Sequence, residues 1–95
     1  MSHPVAVTPD RYLLQRMSRG DTAAGDALRR RHGLSVYALA YAVLLDPSEA
    51  EMVENETFAF ALRAALWFDP NQLSVFGWLT AIARKRAEER RECQV

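Results

Sequence analysis

Apolar residues recur at three- and four-residue steps in four stretches, and polar, Gly or Pro punctuation separates them, which predicts four helices and no strands. Tyr12, Leu13 and Met17 give the first stretch a short stripe. It is read as a helix over 9–19, with Thr8 as N-cap, Pro9 at the first helical position and Gly20 as terminator. Asp21 caps a second helix over 22–45, carrying Ala24, Leu28, Val36, Leu39 and Val43 on one side. With Tyr37, Tyr41, Leu44 and Leu45 added, its second half is apolar nearly all round, as expected of a central helix covered on several sides. Gly25 and Gly33 weaken it, and Gly33 is a candidate kink.

The clearest boundary is the run "LDPSEAE". Asp46 is an N-cap, Pro47 stands at the first helical position, and Glu49 is at the reach-back position of a capping box. The third helix, 47–66, has one face of Ala50, Val53, Thr57, Phe60, Ala61 and Ala64, and a second stripe of Phe58, Leu62 and Leu66 that Glu51 and Asn55 continue. Both stripes can be core, one against each neighbouring helix, or the second can dock a partner helix. The run "WFDPNQLS", 67–74, breaks the pattern and predicts a loop. Ser74 then caps a fourth helix over 75–91, in which Val75, Trp78, Leu79, Ile82 and Ala83 hold helical spacing. Arg86 and Arg90 continue that stripe, so beyond Ala83 the helix must leave the core or let these side chains snorkel. The expectation is an all-α bundle of about four helices over 9–92, preceded by a flexible tail at 1–8.

Charge changes this picture through its distribution. The net formal charge of the 95 residues is zero. Residues 1–31 nevertheless carry six Arg against three Asp, residues 46–56 carry five acids and no base, and residues 84–91 carry five bases against two Glu. An acidic block between two basic ones can face two different partners, although from charge alone solvated helix faces are the simpler reading.

Candidate chemistry adds little. Two His and one Cys without ligand spacing make no zinc site. Glu51 and Glu54 lack a His, Lys or metal companion and sit where a helix start favours negative charge. No glycine-rich phosphate loop, activated nucleophile or cofactor motif is present, which argues against an enzyme and predicts no cofactor. The lone Cys93 suits a reducing compartment. Residues 29–45 mimic a signal sequence, but the apolar run Leu34–Leu45 is mid-chain and falls short of the ~20 residues of a membrane span. A cytoplasmic location is expected.

Three stretches in order carry a resemblance. "GDTAAGDALRRRHGLSVYALAYAVLLDPSEAE", "AEMVENETF" and "FDP" followed by "WLTAIARKRA" resemble the second conserved region of bacterial RNA polymerase sigma factors of the extracytoplasmic-function (ECF) group. Together they span about residues 10–92.

The resemblance implies a transcription-initiation role. The acidic third helix would bind the clamp helices of the polymerase's largest subunit through Glu51, Asn55, Glu56, Phe58 and Leu62. The loop and last helix would recognise and melt the −10 promoter element, holding unstacked bases of its non-template strand. That surface maps onto Phe68, Asn71, Gln72 and Ser74, and onto Arg84, Lys85, Arg86, Arg90 and Arg91. Such factors also carry a −35-reading domain, which these 95 residues are expected to lack. Met52 stands where the group has an acid, Asn55 where it has Gln, "NQLS" where it commonly has Arg-Gly-Ser, and Lys85 where Asn is common. The loop departure removes a base and a glycine from the base-holding part, leaving an alternative: a sigma-like interaction module whose main partner is an anti-sigma factor or another regulator.

Overall fold

The computed structural model describes residues 8–94, so most of the expected tail lies outside the described residues. Helix α1 spans Asp10–Met17, α2 Thr22–Leu44, α3 Pro47–Ala64 and α4 Val75–Cys93, with a 3-10 turn at Ala65–Trp67. No strand occurs among the described residues. The chain is an all-α bundle, as its periodicity predicts.

Local chemistry sets most boundaries. Gly20 takes φ +86°, and the N–H groups of Gly20 and Asp21 donate to the carbonyls of Met17 (2.9 Å) and Arg16 (3.0 Å). This is a Schellman closure, which glycine adopts without a Cβ penalty. The side chains of Asp21, Asp46 and Ser74 accept from the N–H groups of Ala24, Glu49 and Gly77, each capping the helix that follows. Such a cap stabilises a helix by about 1 kcal/mol.

Two expectations about helix ends need correction. Helix α1 begins at Asp10, not Pro9, and no side chain caps it. The Thr8 carbonyl instead accepts from the Arg31 guanidinium. Asp46 does cap α3, but Glu49 does not reach back: its carboxylate turns to Arg90 on α4, 2.7 Å from Nη1. A charged fork available from another helix displaces the weaker local bond.

Helix α2 is the centre of the bundle and packs against α1, α3 and α4. Leu28 and Val36 of α2 meet Val53 of α3 and Leu79 of α4 in the fully buried core, with Leu13, Leu14 and Met17 of α1 alongside. Burial of each large apolar side chain contributes about 1.5–3 kcal/mol. The helix is not covered all round, however. Leu34 and Leu45 remain 82% and 73% exposed, because no element crosses that outer line of α2. Leu45 also ends the helix in the left-handed region, at φ 55°, with its N–H on the Tyr41 carbonyl.

Gly33 lies within the uninterrupted α2. Its value is in packing: a Cβ there would sit 3.0 Å from Glu54 Oε2, so the glycine allows α3 to approach. On α4 the core does not stop at Ala83, since Ala87 is also fully buried. Small residues thus keep α4 close to its neighbours below the point where the apolar stripe was expected to end.

Candidate functional site

The acidic and basic blocks fold onto different edges of α3 and α4. On α3, Glu51 and Asn55 are exposed, as is Met52 between them. This edge is tied to α2 by one arginine. Arg29 Nε donates to Glu54 Oε2 (3.0 Å), and Arg29 Nη2 donates to Asn55 Oδ1. The Arg29 guanidinium also lies 5.6 Å from the centre of the Phe58 ring. Phe58 is only 7% exposed, and Leu62 is half-buried in the α2–α3 seam, where a Cβ on Gly25 would lie 3.7 Å from its Cδ1. Phe58 and Leu62 of the second stripe therefore pack against α2, while Leu66, beyond the end of α3, stays exposed. Of the five residues expected to meet a protein partner, Glu51 and Asn55 are open, Leu62 is partly open, and Phe58 has little surface to offer.

The fifth, Glu56, lies on the opposite edge of α3, facing α4. There it meets Arg90, a residue expected on the nucleic-acid side. Arg90 Nη2 lies 3.1 Å from Glu56 Oε1, and Arg90 Nη1 lies 2.7 Å from Glu49 Oε2. Burial alone would lower the Arg90 pKa, but hydrogen bonds from the guanidinium to Glu56 and Glu49 outweigh it and raise the pKa above its ordinary value. Arg90 is thus a clasp between α3 and α4: α4 stays in the bundle, and the guanidinium is held by two carboxylates rather than left in water.

Above the clasp, Arg86 reaches across the same seam. Its guanidinium lies 5.2 Å from the centre of the Phe60 ring, and Arg63 lies 6.0 Å from it. Arg84, Lys85 and Arg91 are exposed and make no salt bridge among the described residues. Of the five basic candidates on α4, then, three are free, one is stacked and one is paired.

The 68–74 loop is ordered by its own polar groups. Asp69 Oδ1 accepts from the Asn71 N–H (2.9 Å), and the Asp69 carbonyl accepts from Gln72 and Leu73. This is an Asx-type turn, which Asp favours locally. Asn71 and Gln72 are exposed, and the Ser74 hydroxyl is occupied as the α4 cap. Phe68 is half-buried, packed at 5.2 Å and 55° against Trp78. Leu66 and Trp67, just before the loop, are 69% and 77% exposed.

Sequence reasoning missed a polar hub that fixes α1 next to this loop. Asp10 accepts from Arg31 Nη1 (2.8 Å) and lies 2.6 Å from His32 Nε2. A carboxylate only accepts, so the proton in the latter contact sits on Nε2. The His32 ring in turn packs 5.7 Å from that of Phe76, at the start of α4. Burial raises the Asp10 pKa, yet the hydrogen bonds from Arg31 and His32 and their charges bring it below its ordinary 3.8. Partners 21 and 22 residues apart leave no periodic trace, so only the fold reveals them.

No group of three or more His, Cys, Asp or Glu among the described residues could hold a metal, and no helix there is long and apolar enough to cross a membrane.

The chain is 31% identical over 87 residues to "ECF RNA polymerase sigma factor SigK" of Mycobacterium sp. strain KMS, a match covering 92% of this chain and 45% of that protein. A relative of the same name in Mycolicibacterium vanbaalenii is also 31% identical, over 78 residues, covering 82% of this chain and 40% of the relative. The chain therefore spans a little under half the length of these curated relatives. No family model matches it, and no solved structure does.

Proposed function

Because this chain is homologous, over most of its length, to a region of ECF RNA polymerase sigma factors, we propose that it acts in transcription initiation as their second conserved region does. In this reading it binds the clamp helices of core RNA polymerase through the exposed edge of α3. It binds the non-template strand of the −10 element through the 68–74 loop and α4. The observation that carries the proposal is the division of charge over the folded surface: Glu51 and Asn55 open on α3, and Arg84, Lys85 and Arg91 open on α4.

The roles divide by environment. Glu51 offers a free carboxylate to a basic partner helix, and Asn55, held by Arg29, offers a fixed amide. Preorganisation of that amide lowers the ordering cost of binding. Asn71 and Gln72 present hydrogen-bonding groups to unstacked base edges from a loop already folded by Asp69. Arg84, Lys85 and Arg91 neutralise phosphates, so binding weakens with salt. Glu56 and Arg90 satisfy each other and act as structure.

The test is a paired one. Glu51→Ala with Asn55→Ala is expected to abolish capture of core polymerase while sparing single-stranded DNA. Arg84→Ala with Arg91→Ala is expected to weaken a −10 non-template oligonucleotide and to flatten its salt dependence. Absence of wild-type affinity for both clamp helices and oligonucleotide at moderate salt would refute the proposal.

A second reading, a module captured by an anti-sigma factor, is favoured by one observation. Leu66 and Trp67 expose apolar surface beside a groove of about 360 Å³ lined by Tyr12, Leu14 and Phe68. Capture of such a regulator that survives loss of the α4 bases and requires Trp67 would support it.

A further inference from the structure

Helix α2 carries no charged residue from Gly33 to Leu44, and neither does Leu45 at its end. On its outer line Leu34, Ala38, Tyr41 and Leu45 follow one another at steps of four, three and four. Those are the steps of a coiled-coil seam. Leu34, Tyr41 and Leu45 are 82%, 41% and 73% exposed, and Ala38 is exposed between them. The line is about 16 Å long at the helical rise. Tyr37 stacks on Tyr41, with ring centres 6.3 Å apart and planes 18° from parallel, which holds the Tyr41 ring in place. Leu45 adds an independent sign. It sits at φ 55°, where glycine is the unstrained choice, and its side chain faces solvent. A strained, exposed leucine gains little within the fold, which points to a contact outside it.

We propose that this face pairs with the same face of a second copy of the chain, antiparallel, about a twofold axis. The residues fit one another in that direction. Leu34 meets the partner's Leu45, and Ala38 meets the partner's Tyr41, so small faces large at the centre and leucine faces leucine at the ends. The charges beyond the line agree. Arg30 is exposed one turn before Leu34, and Asp46 is exposed just after Leu45, beside the last carbonyls of α2. Neither takes part in a salt bridge among the described residues. Reversal of the partner brings each Arg30 towards the partner's Asp46 and the negative end of its helix, both of which favour a cation.

Other occupants match less well. A parallel pair would set Tyr41 against Tyr41, leave a gap at Ala38 and bring like charges together at both ends. An anionic membrane would be repelled by Asp46 and Glu51 at the acidic end. A net charge of zero leaves two copies without overall repulsion. The apolar surface is on the order of a few hundred Å² per chain, enough to mark a contact but below the ~800 Å² per partner of a standard interface, so the pair is weak and reversible.

Sedimentation equilibrium of the 95-residue chain is expected to show its mass rising from monomer towards dimer between about 10 μM and about 1 mM, the span of weak interfaces. Leu34→Glu, at an open position, is expected to weaken association at least about tenfold, because it sets an unpaired charge in the seam. Leu45→Gly is expected to weaken association without lowering the Tm of dilute protein, which separates a lost contact from lost folding. Orientation is read in chains whose exposed Cys93 is replaced by serine. A mixture of Leu34→Cys and Leu45→Cys chains should form a disulfide on mild oxidation well ahead of Leu34→Cys alone. Equal cross-linking of Leu34→Cys alone would overturn the antiparallel pair. Arg84→Ala with Arg91→Ala should leave association unchanged, and its loss there would move the interface to α4. A chain that stays monomeric to about 1 mM would overturn the proposal, and loss of polymerase capture by Leu34→Glu in that case would give the face to polymerase instead.

Discussion

Arg90→Ala tests whether the lower end of α4 is held by charge. Arg90 spans Glu49 and Glu56, with N–O distances of 2.7 and 3.1 Å, and its side chain is 26% exposed against 28% and 38% for the two carboxylates. A single exposed pair contributes about 0.2–1 kcal/mol. Two partly shielded pairs sharing one planar fork exceed that range modestly, and their removal also leaves two carboxylates facing one seam. We therefore expect a loss of about 1–2 kcal/mol, reduced by a few tenths because Ala is the better helix former. For a chain of this size that is a fall of roughly 5–10 °C in Tm.

Thermal unfolding followed by circular dichroism, at low and high salt, measures it. The difference between variant and wild type should shrink as salt screens the pairs. Arg90→Lys should recover only part of the loss, because an ammonium cannot satisfy both carboxylates as a guanidinium fork does. A Tm change within about 1 °C would refute the clasp, since it lies at or below what even one working pair gives, and full rescue by Lys would refute the role of the guanidinium fork. DNA affinity measured well below Tm should fall less for Arg90→Ala than for Arg84→Ala. The reverse order would return Arg90 to the phosphate contacts.

Three further outcomes follow from the same geometry. Leu45→Gly should raise Tm by a few degrees: it removes a left-handed backbone cost of about 1–2 kcal/mol, offset by glycine's entropy of about 0.5–1 kcal/mol, at a residue 73% exposed. No gain on melting would mean that Leu45 packs more than its exposure suggests. Asp10 has a lowered folded-state pKa, so its contribution to stability is complete above the unfolded value of 3.8 and is lost as pH falls through the lower folded value. Asp10→Asn should therefore flatten the acid side of the denaturation profile below about pH 4, and an unchanged slope there would count against the hub. Leu79→Ala, at a fully buried site shared by α2 and α4, should cost about 2–5 kcal/mol in denaturant unfolding and release α4. A cost under about 1 kcal/mol would show that the core closes without it.

What could be read from the chain was local. Asp21, Asp46 and Ser74 cap the helices they precede, and Gly20 closes α1, because each bond spans three to five residues and depends on a side chain at a known offset. The buried faces of α2 and α4 follow periodicity for the same reason: a helix with one apolar side must bury it. The limits of that reasoning appear where two sequence-level options had equal local merit. Glu49 stands at a capping-box offset, yet Arg90, 41 residues away, takes its carboxylate. Phe58 could dock a partner or fill the core, and the approach of α2, eased by Gly33 and pinned by Arg29, buried it.

The division of the candidate surfaces has the same origin. The acidic run of α3 and the basic run of α4 are legible as blocks, and their family resemblance is legible as ordered motifs. Which members remain free is not, because Glu56 faces α4 while Glu51 and Asn55 do not, and Arg86 is drawn onto Phe60 while Arg84 and Lys85 stay in solvent. Rotation of a helix about its axis is set by packing against its neighbours, and a charge is spent or left open by what that rotation brings opposite. The chain by itself determined four helices, most of their caps and three charged blocks, since those depend on contacts a few residues apart. The tertiary structure decided which charges cancel and which can meet a partner, since those contacts join residues 21 to 41 positions apart.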